Sequence, residues 1–167
     1  MASGDVKIVY GSAADATITL ASLATSPTLV AGRESTAIDN TSTLATDYLV
    51  SGKITTGTSP TTAKSIQVWA VASWDGTTWP SEFDGTDSAE TLIAEHKNLV
   101  CRLVASIATI ATSDQPYHFS GVSIARIFGT VPPKFTFFVT HDTAVNLNST
   151  AGNHQIRVQP VYENVAP

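Results

Sequence analysis

At 167 residues the chain is sized for one domain with a single well-buried core. Its formal charge is −5, and only 14% of its residues are charged, against roughly 25% in an average soluble domain. The few basic residues stand singly, which excludes neutralisation of a phosphate backbone or an anionic membrane by clustered cations, so neither nucleic acid nor membrane is expected as a partner.

The missing charge is replaced by Thr, Ser and Ala. Such a chain keeps its contact with water through hydroxyls, and suits a part whose surface is hidden in an assembly. Thr and Val also favour strands, because β-branching fits a pleated surface and crowds a helix. Cys101 is alone, so no intrachain disulfide can form, which fits assembly in a reducing cytoplasm; it reads as a small buried hydrophobe. The N-terminal stretch has no basic segment followed by an apolar core, and no signal peptide is expected. No apolar run approaches the ~20 residues of a helical membrane span. The most hydrophobic stretch, 99–111, is broken by Arg102, Ser106 and Thr109.

In chain order, 6–10 reads as a short strand or an arm reaching a neighbouring subunit. Ile18 and Leu20 alternate with Thr17 and Thr19, predicting a strand over 16–24. Asp39-Asn40-Thr41-Ser42 is turn chemistry. Tyr48, Val50 and Ile54 mark the next strand, with Gly52 a bulge or close-approach point. In 65–74, Ile66, Val68 and Ala70 share one face while Trp69 and Val71 lie on the other, so this strand should sit between layers or at a subunit contact. Asp75-Gly76 predicts a turn between Trp74 and Trp79, and 81–89 is a polar loop. Residues 90–111 match helical and strand spacing equally; the division adopted is a helical turn to about Lys97 and a strand from about Leu99 to Thr109. A short strand at 117–120 precedes a short helix over 123–129, capped by Ser123 and stopped by Gly129. The stretch 134–162 reads as a hairpin: Phe135, Phe137 and Val139 on one strand, Ile156, Val158 and Tyr162 on the other, joined by a polar loop. The tail from Glu163 is expected to fray. The sum is an all-β, single-domain β-sandwich of jelly-roll path with at most one short helix. Residues 1–31 form a strand or arm region and 32–167 the sandwich.

Catalytic and metal chemistry find little support. His96, His118, His141 and His154 are scattered, and only His141 and His154 could meet, across the loop they flank. No nucleophile motif or phosphate loop occurs. Glu82, Asp84, Asp87 and Glu90 share one loop, which offers a solvated surface or a cation site more readily than a catalytic pair. No enzyme activity and no cofactor are expected. Trp69, Trp74 and Trp79 admit three readings: core packing, a protein interface, or a sugar platform. Trp74 and Trp79 are candidate interface residues. So are Asn146, Leu147 and Asn148, because a long ordered loop is usually functional; they are expected to make inter-subunit hydrogen bonds.

Several strings resemble a group of small tailed-bacteriophage virion proteins: GRESTAIDNTS at 32–42, DYLVSGKITTGTSP at 47–60, FDGTDSAET at 83–91, VTHDTAVNLNSTAGNH at 139–154 and the closing PVYENVA. The resemblance runs from about Gly32 onward and carries no catalytic residue. It implies a virion component made in the host cytoplasm. The expectation is a homo-oligomeric capsid decoration or cement protein that contacts the major capsid protein, or alternatively a tail- or fibre-associated component contacting tail proteins. A carbohydrate-binding module is the reading from a different class.

Overall fold

The computed structural model describes residues 5–165; residues 1–4 and 166–167, and with them the start of the expected arm and the end of the tail, lie outside the described residues. The strands are β1 (Val6–Tyr10), β2 (Ala14–Asp15), β3 (Ala31–Glu34), β4 (Ile38–Asp39), β5 (Asp47–Thr55), β6 (Lys64–Ser73), β7 (Ala89–Thr91), β8 (Cys101–Thr109), β9 (Pro116–Ser123), β10 (Lys134–His141) and β11 (Gln155–Val165). The helices are α1 (Ala94–Val100) and α2 (Ile124–Phe128), with a single 3-10 turn at Ala151–Asn153. One antiparallel sheet runs β1-β11-β5-β9, with β2 also on β11; the other runs β7-β3-β10-β6-β8, with β4 also on β10. This is an all-β sandwich.

Alternation decides which side chains meet between the sheets. Tyr48, Val50 and Ile54 of β5 and Ile156 and Val158 of β11 face Ile66, Val68 and Ala70 of β6 and Phe135, Phe137 and Val139 of β10. Phe135 meets Tyr48 edge-on at 5.2 Å and Phe137 at 5.8 Å. Each such fully buried side chain stabilises the fold by about 1.5–3 kcal/mol. The opposite face of β6 and β10 is also covered: Val71 and Phe138 pack with Phe83, Leu92 and Cys101 from the 74–101 segment. The doubly apolar pattern of β6 is therefore explained by this extra layer within the chain. Lys97 anchors the layer: its ammonium donates to the Leu29 carbonyl (2.6 Å) and Gln67 Oε1 (3.1 Å), and lies 4.7 Å from the centre of the Trp69 ring.

Four sequence expectations are corrected. Strands β10 and β11 do not form a hairpin: β10 pairs with β6, β3 and β4, while β11 pairs with β5, β1 and β2, so the loop between them crosses from one sheet to the other. Residues 16–24 form no strand; they are irregular up to a turn at 21–22, with Ile18 half-buried and Leu20 in the main core while Thr17 and Thr19 stay exposed, and the alternation of Ile18 and Leu20 reflects that one-sided burial alone. This also makes much of the 1–31 region part of the sandwich. Glu163, Asn164 and Val165 do not fray in the described chain: they pair with Ile8, Lys7 and Val6. The expectation of at most one short helix is corrected: α1 is a second one, formed where the two spacings competed, and β8 follows it directly.

Other expectations hold. At Gly52 the β5–β9 register shifts, and a Cβ there would stand 2.5 Å from the Phe119 ring. Ser123 caps α2, accepting from the Arg126 N–H at 3.0 Å, and Gly129 ends it at φ 85°.

Candidate functional site

The turn after β6 is built by Asp75. Its Oδ1 accepts the N–H groups of Thr77 (2.8 Å) and Thr78 (2.6 Å), and the Thr78 hydroxyl together with these bonds holds its carboxyl well below the usual carboxylate range. The turn sends the two flanking tryptophans in different directions. Trp79 folds back against the outer layer, packed with Phe83 and Phe138. Gly85 lies flat against its ring: a Cβ there would stand 2.8 Å from the indole, and φ is +78°, a conformation glycine adopts without strain. Trp74 instead stands out, 56% exposed, with its ring edge-on to Phe128 at 6.0 Å. Trp69 is on the outer face of β6 beneath Lys97, its indole N–H donating to Gln67.

Between these parts lies a cleft of about 540 Å³, walled by Trp74, Trp79, Leu99, Ile127 and Phe128 with Arg102 among them. It is a largely apolar groove with one cation, Arg102, and one carboxylate, Asp75, which is bonded to its own turn. Leu99 is 70% exposed and adds to the apolar wall. The Arg102 guanidinium is oriented by donating through Nη1 to the carbonyls of Leu99 (2.9 Å) and Cys101 (3.1 Å). Sequence reasoning found Trp74 and Trp79 but missed Leu99, Arg102, Ile127 and Phe128. The available signal was Arg102 interrupting an apolar run.

The crossover between β10 and β11 sits at the other end of β6, about 30 Å away at ~3.3 Å per residue, so the two groups of candidate interface residues are not brought together. Leu147 is only 2% exposed and belongs to the main core. Asn148 is a hub within the chain. Its Nδ2 donates to Asp114 (2.6 Å), its Oδ1 accepts from Thr150 N (2.9 Å) and Asn153 Nδ2 (2.9 Å), and its N–H donates to the Thr55 carbonyl (3.1 Å). Its carbonyl accepts from Ser22 N (3.1 Å) and His154 Nε2 (2.8 Å). Of the trio, Asn146 is the one left exposed.

His141 and His154 serve the same crossover from separate positions. Buried His141 donates through Nε2 to the Leu23 carbonyl (3.0 Å), with Nδ1 3.0 Å from Thr143 Oγ1. Burial holds both imidazoles below the usual histidine range. The acidic loop likewise disperses its carboxylates. Asp87 pairs with Arg33 (2.6 Å) and accepts from Thr19, Asp84 caps its own turn with Thr86, Glu90 accepts from Ser88, and Glu82 faces His96. Among the described residues no group of three or more His, Cys, Asp or Glu is placed to hold a metal ion. The Cys101 thiol is pushed up to about 12 by burial, so it is a packing residue and not a thiolate. No helix of the described residues is long and apolar enough to cross a membrane.

The chain matches no model of a known protein family and no curated protein.

Proposed function

We propose that this chain is a structural protein of a tailed-bacteriophage virion, and within the virion a decoration or cement protein of the head, working as a homo-oligomer against the major capsid protein. The observation that carries the reading is that six of the ten exposed large apolar side chains of the described residues, on a low-charge β-sandwich, lie in two places: Val6, Ile8, Val9 and Tyr10 on strand β1, and Trp74 and Leu99 in the cleft. The virion-like strings at 32–60, 83–91 and 139–154 point the same way. Such a part works mechanically. It buries apolar surface across neighbours and raises the cost of separating them. A jelly-roll path belongs to this reading. It is supported by the strand orders β2-β11-β5-β9 and β3-β10-β6-β8, and by the change of sheet at each of the main connections except that from β6 to β8.

The test compares particles made with and without the chain under heat or osmotic shock. Loss of heads at milder stress, rescued by adding back the purified protein, supports the reading. Equal head stability argues for the alternative, a tail or fibre component. A sugar-binding module is the second class: an indole beside Arg102 and Thr78 is the arrangement that stacks on a sugar ring and bonds its hydroxyls. Saturable quenching of Trp74 fluorescence by a glycan, absent in Trp74→Ala, would favour it.

A further inference from the structure

The ribbon formed by β1 and the end of β11 has no third strand. Strand β5 begins at Asp47, opposite Val161, so beyond that point β11 is paired with β1 alone. Val6, Ile8 and Tyr10 alternate onto one face of the ribbon and are 63%, 56% and 60% exposed. A two-stranded ribbon with an apolar face in water is marginally stable, and its outer edge offers unpaired backbone groups. Glu163 sits opposite Ile8, on the same apolar face.

The Trp74 cleft is the complementary surface. It is concave where the ribbon is a protruding edge. Its wall carries two charges: the Asp75 carboxylate is taken up by the N–H groups of Thr77 and Thr78, which leaves the cation Arg102 for a partner, where the ribbon's apolar face carries one anion, Glu163. Among the described residues neither Arg102 nor Glu163 makes an ion pair. Both surfaces also lie at the same end of the sandwich. The Asp47 carboxylate beside Val161 accepts from the Ala125 N–H (2.8 Å) and the Ser123 hydroxyl (2.6 Å) of α2, and α2 supplies Ile127 and Phe128 to the cleft.

We infer that the occupant of the Trp74 cleft is the β1–β11 ribbon of a second copy of this chain, with Glu163 of the incoming ribbon placed against Arg102. The contact is heterologous: each copy offers one ribbon and one cleft. Copies side by side with these surfaces at a common end pass ribbon to cleft around a ring, and one kind of contact covers both apolar patches. The inference rests on the homo-oligomer part of the proposal above and does not require a virion.

The test is a mixing experiment read by light scattering on a sizing column. The wild-type chain is compared with Ile8→Ser/Tyr10→Ser, which spoils the ribbon, and with Trp74→Ala, which spoils the cleft. All three positions are exposed, and circular dichroism checks that each variant folds. The expected result is that the wild type is oligomeric, each variant alone is monomeric, and a mixture of the two gives a one-to-one heterodimer. That pair retains one intact ribbon and one intact cleft. If Trp74→Ala stays oligomeric while the ribbon variant does not, or if the mixture stays monomeric, the ribbon-in-cleft contact is overturned and the oligomer reading stands on another interface. A wild type that is monomeric at every concentration overturns the contact and the homo-oligomer reading together. A role on the particle is then decided by the shock experiment alone.

Discussion

Trp74 meets Phe128 edge-on at 6.0 Å, and that single ring contact joins the turn after β6 to helix α2 across the mouth of the cleft. Aromatic pairs of this geometry contribute about 0.5–1.5 kcal/mol, and the exposure of Trp74 places this one at the low end. Trp74→Ala should therefore lower the urea midpoint of unfolding slightly while removing self-association. A loss of several kcal/mol on unfolding would instead make Trp74 a core residue.

Asn148 and Asn146 should behave very differently. Removing the Asn148 amide takes three side-chain hydrogen bonds from the crossover, two of them open to water, so Asn148→Ala should cost about 0.5–1.5 kcal/mol in urea unfolding. Leu147→Ala should cost about 2–5 kcal/mol through the cavity it leaves. Asn146→Ala should be neutral for stability, so any change it makes in assembly reports on an interface. Replacing all three together would unfold the crossover and hide that distinction.

Gly85→Ala should destabilise by at least about 1–2 kcal/mol, because a Cβ at positive φ is strained. The same Cβ pushes on the Trp79 ring, so the fluorescence of the folded protein should shift as well. An unchanged spectrum with unchanged stability would contradict the close approach.

Glu34 gives a pH signature. It is buried under the 84–85 turn, accepting from the Asp84 and Gly85 N–H groups, and burial outweighs those bonds and raises its carboxyl to about 7. The folded state thus holds a proton that the unfolded state has released. Its contribution is fully present below 4.5, the ordinary value, and is lost as pH rises through about 7. Glu34→Gln should abolish that loss, leaving the variant more stable than wild type at pH 8 by at most roughly 3 kcal/mol. Equal pH slopes for the two proteins between pH 4.5 and 8 would contradict it.

His141 and His154 act in the opposite sense. Burial lowers both, so the unfolded state takes up protons first as pH falls below 6.5. Their contribution is complete above that pH and is lost as pH falls towards the lowered folded values. In the Glu34→Gln background, where the opposing slope is gone, stability should fall below pH 6.5, and His141→Gln should reduce the fall. A flat profile in that background would show that neither imidazole is held neutral.

Much of the fold is legible in residue order because strands and turns are local. The Ser123 cap, the Gly129 stop, the bulge at Gly52 and the two apolar faces of β6 all follow from short-range pattern. Sheet membership does not. Phe137 and Ile156 have the same alternating signal whether their strands pair or face each other across a core, so the last two strands read as a hairpin when they belong to opposite sheets. Ile18 and Leu20 show that an irregular connector with one side on the core mimics a strand. The candidate site was half legible: tryptophans beside Asp75-Gly76 announce a surface feature, but Leu99, Arg102 and Phe128 join it only through tertiary packing. Asn148 has the composition of an interface loop, and it directs every polar group back into its own chain.

The most direct test of a virion role is to purify intact particles, separate heads from tails, and count this chain in each fraction by quantitative mass spectrometry. The proposed function predicts many copies on the heads, in a fixed ratio to the major capsid protein and unchanged on heads that lack tails. A chain found only in the tail fraction in a few copies, or absent from particles altogether, would contradict it.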